Sequence, residues 1–357
     1  MQQAQTSKVA LALVGLTALS LMIGVFNAVN SHFIRSDLEV KGGKRDGIIS
    51  LLEPSGKKSH LMLVDVSGPI MMDSPNEGGL FSEDSMAVSA RKALDWAAKD
   101  ESVKGVLLRV NSPGGTVGMS QELNAAVKRV AKEKPVVVTM GDMAASGGYY
   151  TACAADYIFA NPGTLTASIG VIINTMNLKG FVTDKLGVQA VTIKSGMFKD
   201  ILSPYRPAAK EEIALIQRLI NESYQDFLGA VLAGRTRFEA DPVKKKDLAE
   251  RIKAVADGRI VSGEQALKAG LVDAIGDIYA AREKLDAMAK ERFHISGKDQ
   301  LPLEEYSESS GLLSLLGLSS LADNIKPRAK SNPAVEILGG LMPFSAQHPN
   351  QPLWIVE

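Results

Sequence analysis

Three nearly continuous apolar runs set the architecture: LMLVDVSG (61–68), VKGVLLRVNS (103–112) and KPVVVTMGD (134–142). Between them lie SMAVSARKALDWAAK (85–99) and MSQELNAAVKRVAKE (119–133), where apolar residues recur at helical spacing. A strand that is apolar on both faces belongs inside a parallel sheet covered by helices on each side. Strands alternating with helices predict an α/β domain, a parallel sheet joined by right-handed crossovers. Further strands are expected at 156–162, 167–174 and 188–195, and helices at 210–235, 263–271 and 277–293. The expected boundaries are a cytoplasmic tip and anchor over 1–30, a linker over 31–58, a domain over 59–295 and a C-terminal extension over 296–357.

Composition removes several function classes. Lys and Arg total 40 and Asp and Glu total 40, so no net field attracts nucleic acid, and aromatics at 5 % offer few stacking platforms. One cysteine, Cys153, permits no intrachain disulfide and no cysteine-based metal site. Four scattered histidines, His32, His60, His294 and His348, make no ligand cluster. Neither a metal nor a cofactor is expected, nor a nucleic-acid partner.

Residues 9–29, VALALVGLTALSLMIGVFNAV, contain no charge. As a helix, 21 residues span roughly 30 Å, about one hydrocarbon core. The run is longer than the apolar part of a cleaved signal peptide, and Phe26-Asn27-Ala28 is a poor cleavage site. The expectation is a single-pass protein of the bacterial cytoplasmic membrane whose main domain is extracytoplasmic. The cation count runs the other way, with Lys8 before the span and Arg35, Lys41, Lys44 and Arg45 after it, so orientation stays open.

The chemistry-bearing residues sit in three short motifs. NSPGGTV (111–117) follows a strand, and Pro113, Gly114 and Gly115 suit a turn with exposed N–H groups. Such a turn can receive an oxyanion, although ordinary Pro-Gly turns are common. GDMAASGGYY (141–150) places Ser146 between a strand and a helix, where a serine can be a nucleophile or simply a helix cap. No histidine lies between 61 and 293, so a base for Ser146 would have to be something else, and lysine is the usual substitute. SGMFKD (195–200) supplies Lys199, with Lys194 as the rival. A lysine base near neutral pH needs its pKa lowered from about 10.4 to roughly 7–8, about 3–5 kcal/mol of disfavoured charge supplied by burial.

Taken together, NSPGGTV, GDMAASGGYYTACAADYIFANPGTLTASIGVI (141–172), IKSGMFKDILSPYR (193–206) and GRIVSGEQALKAGLVDAIG (258–276) resemble the signal peptide peptidase A family in its short, single-copy form. These are serine–lysine peptidases of the Clp protease/crotonase fold. The resemblance covers about 60–282 and implies a membrane-anchored serine endopeptidase acting on signal peptides or other apolar peptides. It implies Ser146 as nucleophile, Lys199 as general base, and Gly114 and Gly147 as the oxyanion hole. Asn111, Gly115, Thr166, Ser168 and Ile169 would line the substrate cleft, with backbone groups at Gly114–Gly115 and 166–169 pairing with an extended peptide. It further implies a homo-oligomeric ring whose serine and lysine can come from neighbouring subunits. Two alternatives keep the fold: an inactive membrane scaffold, and a crotonase-like acyl-CoA enzyme.

The last ten residues, HPNQPLWIVE (348–357), combine two prolines with an apolar run of high strand propensity. Such a run should dock, either on a sheet edge or neighbouring subunit or in the domain's own cleft.

Overall fold

The computed structural model describes residues 58–72 and 85–306, together with the backbone of Leu353–Ile355. The expected span at 9–29, most of the expected linker and most of the C-terminal extension lie outside the described residues. No helix among the described residues is long and apolar enough to cross a membrane.

In chain order the first half comprises β1 (His60–Ser67), α1 (Met86–Lys99), β2 (Val103–Ser112), β3 (Gly114–Thr116), α2 (Val117–Glu133), β4 (Val136–Ala145) and α3 (Gly147–Ala152). The second half comprises β5 (Tyr157–Ala160), β6 (Leu165–Ala167), α4 (Lys210–Arg235), α5 (Pro242–Lys253), β7 (Ile260–Ser262), α6 (Gly263–Ala269), β8 (Ala274–Ile275), α7 (Ile278–Phe293), β9 (Leu303–Glu305) and β10 (Leu353–Ile355).

The main sheet runs β7-β6-β4-β2-β1-β9, with β5 beside β4 and β8 beside β5. Every pairing in it is parallel except β6 with β7. The expected α/β class therefore holds, with an antiparallel edge. β4 carries the arrangement. One of its edges pairs with β2; the other pairs first with β5 (Val137–Met140) and then with β6 (Met143–Ala145).

Strand alternation splits the core in two. Met62, Val64, Val106, Leu108, Val136 and Val138 face α1 and α2, whereas Leu61, Leu107 and Val137 face Leu285 and Ala289 of α7. α1 buries Ala87, Ala90, Ala93, Leu94 and Ala97, one helical stripe, and starts where Ser85 Oγ accepts from Val88 N.

Two expectations fail, and one boundary moves. Of the expected strand at 167–174 only Ala167 belongs to a named strand, as the last residue of β6 (Leu165–Ala167), which ends at the two positive-φ residues Ala167 and Ser168. The segment 188–195 pairs with no strand among the described residues; Val191 and Ile193 are 82 and 96 % exposed. Its alternating pattern is real, but a lone extended segment without a neighbour satisfies no ladder. The folded unit also continues past 295, because β9 pairs in parallel with β1.

Arg235, whose side chain is 7 % exposed, and the part-buried Asp273 form a forked ion pair (2.7 and 2.9 Å), and Asp273 Oδ2 also accepts from Ile158 N at 2.8 Å. Replacing Asp273 with Ala should cost about 3 kcal/mol in urea unfolding, since it strands a buried guanidinium. Asp257→Ala, which removes an exposed carboxylate paired with Arg259, should leave the midpoint unchanged.

Candidate active site

β1, β2 and β4 share their direction, so their carboxyl ends meet on one side of the sheet: Ser67 beside Asn111, Ser112 beside Ala144 and Ala145 beside Ala167. The crevice at the carboxyl ends is where open parallel sheets place ligands. Ser146 follows β4 directly. Its backbone stands at φ 51°, ψ −118°, a conformation that costs a non-glycine residue about 1–3 kcal/mol. Although it occupies the cap position of α3, its side chain caps nothing. The residue is 1 % exposed, and Oγ has no hydrogen-bond partner among the described residues. A capping serine would accept from the first helical turn and relax into extended backbone. Ser146 does neither.

Its surroundings hold it there. Ser146 N–H donates to Ala167 O (2.8 Å), Tyr149 Oη to Leu271 O (2.7 Å) and Asn124 Nδ2 to Tyr150 O (2.6 Å). Burial pushes the Tyr149 hydroxyl well above its ordinary pKa, so it remains a donor. A Cβ on Gly148 would lie 2.9 Å from Ser112 O, which requires glycine where α3 crosses β2. The N–H of Gly147, in the first turn of α3, has no partner among the described residues and points out of the helix start.

The Gly114–Gly115 turn lies against this elbow. Gly114 adopts φ +104°, and a Cβ on Gly115 would sit 2.0 Å from Ile70 O. Here the Gly114 N–H donates to Ser112 Oγ (3.1 Å), a local partner that the motif NSPGG contained and that the expected oxyanion role did not take into account. One edge of β3 is taken by Ile70, which donates to Gly114 O and accepts from Thr116 N (both 2.8 Å). By strand alternation the N–H and C=O of Gly115 face the opposite edge. Asn111 Oδ1 accepts from Met143 N (3.1 Å), so this side chain clamps the ends of β2 and β4.

The 166–169 run does not offer the free edge expected of it. β4 flanks β6 on one side and β7 on the other, and Ser168 N–H donates to Arg259 O (2.9 Å). Thr166 and Ile169 are fully buried, with Thr166 Oγ1 donating to Ala144 O (2.7 Å). Their side chains support the wall rather than line the cleft. Ser168, at φ 50° and 8 % exposed, remains near the elbow through Ala167.

Lys199 belongs to an excursion over 172–209 that leaves the sheet and ties to itself: Leu178 N donates to Pro204 O, and Thr175 Oγ1 donates to Leu202 O. Lys199 is exposed, not buried as a base requires, and its amine has no partner among the described residues. No hydrogen bond joins it to Ser146. The rival, Lys194, is committed: its Nζ pairs with Asp200 (2.5 Å) and donates to Met197 O (3.0 Å). Asp200 in turn pairs with Arg206, which reaches Glu212 at the start of α4. Hydrogen bonds from Arg206 hold the Asp200 carboxyl well below its usual range and bring that of Glu212 down to about 2. The lysine that burial pushes down is Lys134, at the far end of β4, where it donates to the Ala97 and Asp100 carbonyls. His60 begins β1, seven residue steps (roughly 23 Å) from the crevice end.

Residues 128–292, which include Ser146 and Lys199, match the family model described as peptidase family S49. A Methanocaldococcus jannaschii protein named as a protease is 40 % identical over 250 residues, 69 % of this chain and 76 % of that one. The chain belongs to peptidase family S49, the signal peptide peptidase A family. It is also 37 % identical over 243 residues to a protein of Enterococcus faecium named as signal peptide peptidase SppA, covering 68 % of this chain and 66 % of that one. Protease 4 of Salmonella typhi is 35 % identical over 244 residues, which are 68 % of this chain but only 36 % of that one.

Strain at Ser146 has a measurable signature. Ser146→Gly should relieve about 1–3 kcal/mol of backbone strain against about 0.5–1 kcal/mol of added chain entropy. Thermal unfolding should therefore show it to be more stable than the parent by about 1 kcal/mol, and more stable than Ser146→Ala, which keeps the strain.

Proposed function

We propose that this S49 peptidase is a serine endopeptidase anchored in the bacterial cytoplasmic membrane by residues 9–29, with an extracytoplasmic domain that degrades signal peptides or other apolar peptides. Its parallel sheet, with β4 shared among β2, β5 and β6, is compatible with a fold of the Clp protease/crotonase type. The observation that carries the reading is Ser146 at the carboxyl ends of the strands: buried, with a strained backbone and a hydroxyl that has no partner among the described residues.

In the proposed mechanism Ser146 Oγ attacks the scissile carbonyl carbon while its proton passes to the neutral amine of Lys199. The carbonyl oxygen becomes an oxyanion that accepts from Gly147 N–H, with Gly114 N–H as the second donor once it turns from Ser112 Oγ. Collapse expels the amine, which takes the proton back from Lys199, and water then cleaves the acyl-enzyme by the same route in reverse.

Two facts of the single chain favour assembly from several copies. Lys199 is exposed, whereas a neutral lysine needs burial. The excursion that carries it also exposes Val191, Ile193 and Met197 (82, 96 and 65 %), an apolar surface expected to be covered. A second copy laid on this excursion buries both and brings one copy's Lys199 to the other's Ser146. Repeated head to tail, that contact closes a ring.

Co-expression tests the proposal. Ser146→Ala and Lys199→Ala should each abolish peptide hydrolysis, and Lys194→Ala should weaken it only mildly. Mixed oligomers of the two inactive variants should regain roughly a quarter of parental activity, the share of sites that draw both intact residues from different copies. Activity in Lys199→Ala alone would reject the dyad, and no recovery on mixing would reject a dyad formed between copies.

A further inference from the structure

Lys199 is carried by a segment with no regular structure of its own. Residues 187–209 form neither helix nor strand, and the turn around the lysine closes on itself: Lys199 N–H donates to Gly196 O and Ile201 N–H to Phe198 O (both 3.1 Å). Arg206 ties that turn to the folded body. Its Nε and Nη2 donate to the two carboxylate oxygens of Asp200 (2.8 and 2.7 Å), and Nη2 also to the Asp200 carbonyl (3.1 Å). Nη1 donates to Glu212 Oε2 (2.8 Å) in the first turn of α4. The same oxygen accepts from Ala209 N (2.8 Å), so Glu212, which is buried, is itself held in place. From there α4 acts as a stiff lever, and roughly 22 Å further along it is seated on α3. Phe227 is fully buried with its ring 5.2 Å from that of Tyr150, and a Cβ on Gly234 would lie 2.0 Å from Cys153 O. Since Ser146 begins α3, one run of contacts leads from the strained serine through α4, Glu212, Arg206 and Asp200 to the lysine's turn.

We propose that Arg206 is a positioning residue for Lys199: its fork joins Asp200, the residue after the lysine, to Glu212 of α4 and so fixes where the amine meets Ser146 of a neighbouring copy. This rests on the peptidase reading. The effect acts through geometry, since a misplacement of about 1 Å at a reacting group can cost on the order of 100-fold in rate. A planar guanidinium serves two carboxylates and a carbonyl at once, whereas an ammonium keeps the charge and loses the fork. Lys194 pairs with the same Asp200 but belongs to the same unanchored segment, so it adds nothing to the attachment.

Mixed oligomers of the full-length chain test this. Ser146→Ala copies donate the lysine, Lys199→Ala copies donate the serine, and Arg206→Gln is placed on one or the other. On the lysine donor it should cut the recovered peptide hydrolysis about tenfold or more; on the serine donor it should leave recovery unchanged. Arg206→Lys, which keeps the charge, stands in where the Arg206→Gln copy fails to assemble. Equal loss from both placements overturns the proposal, because Arg206 then serves folding or assembly, and equal recovery overturns it too. The single variants Arg206→Gln and Arg206→Lys give an independent readout. In each, kcat should fall about tenfold or more at unchanged KM and assembly, and fluorophosphonate labelling of Ser146 should slow in step. Unchanged kcat in either variant, or a loss of kcat matched by a loss of assembly, overturns it. If the pair without an Arg206 change recovers nothing, the dyad between copies fails and the single variants alone decide the role of Arg206. If Ser146 is unlabelled even in the parent protein, the peptidase reading fails and takes this inference with it.

Discussion

A serine held at φ 51° with its hydroxyl out of water and unpaired is a state the chain would leave if it could. The rest of the fold removes the ways out. β4 arrives locked between β2 and β6, and the Ser146 amide is fixed to Ala167. α3 leaves under the hold of the Tyr149 and Asn124 hydrogen bonds, pressed so close to Ser112 that only glycine fits at 148. Each bond is worth about 1 kcal/mol net, and several converge within one turn of the serine, enough to oppose a strain of about 1–3 kcal/mol. The energy of the parallel sheet is thereby used to hold one hydroxyl at the carboxyl ends of its strands.

The sheet was legible because its strands are apolar on both faces. The expected and observed limits of β2 coincide at 103–112, and α1, α4 and α7 begin and end within a residue or two of their expected positions. Four of the shortest strands were not legible: β3, β7, β8 and β9 carry too few residues for any periodicity and exist because a neighbour pairs with them. The converse case is 188–195, whose alternation is as clean as that of a true strand but which pairs with no strand among the described residues.

The site was partly legible for a related reason. Residue type at a turn marks a candidate, so Ser146, Gly114, Gly115 and Gly147 stood out. Which backbone groups remain free depends on pairing that no motif displays. Thr166 and Ile169 belong to a run that looked like a cleft wall, yet β7, from about 95 residues further on, closes its edge. Ser112 stands in the same motif, but its hydroxyl accepts the Gly114 N–H, a partnership that residue type alone does not mark. The resemblance points to Lys199 rather than Lys194; in the structure Lys194 is bound to Asp200 and Lys199 is exposed.

One measurement bears most directly on the claim that Ser146 is held ready to react. The full-length protein is treated with a fluorophosphonate, digested and analysed by mass spectrometry. One adduct is expected, on Ser146, and its formation should slow sharply when Lys199 is replaced with Ala. An adduct on another serine, or peptide hydrolysis that continues at the parental rate with Ser146 unmodified, would contradict it.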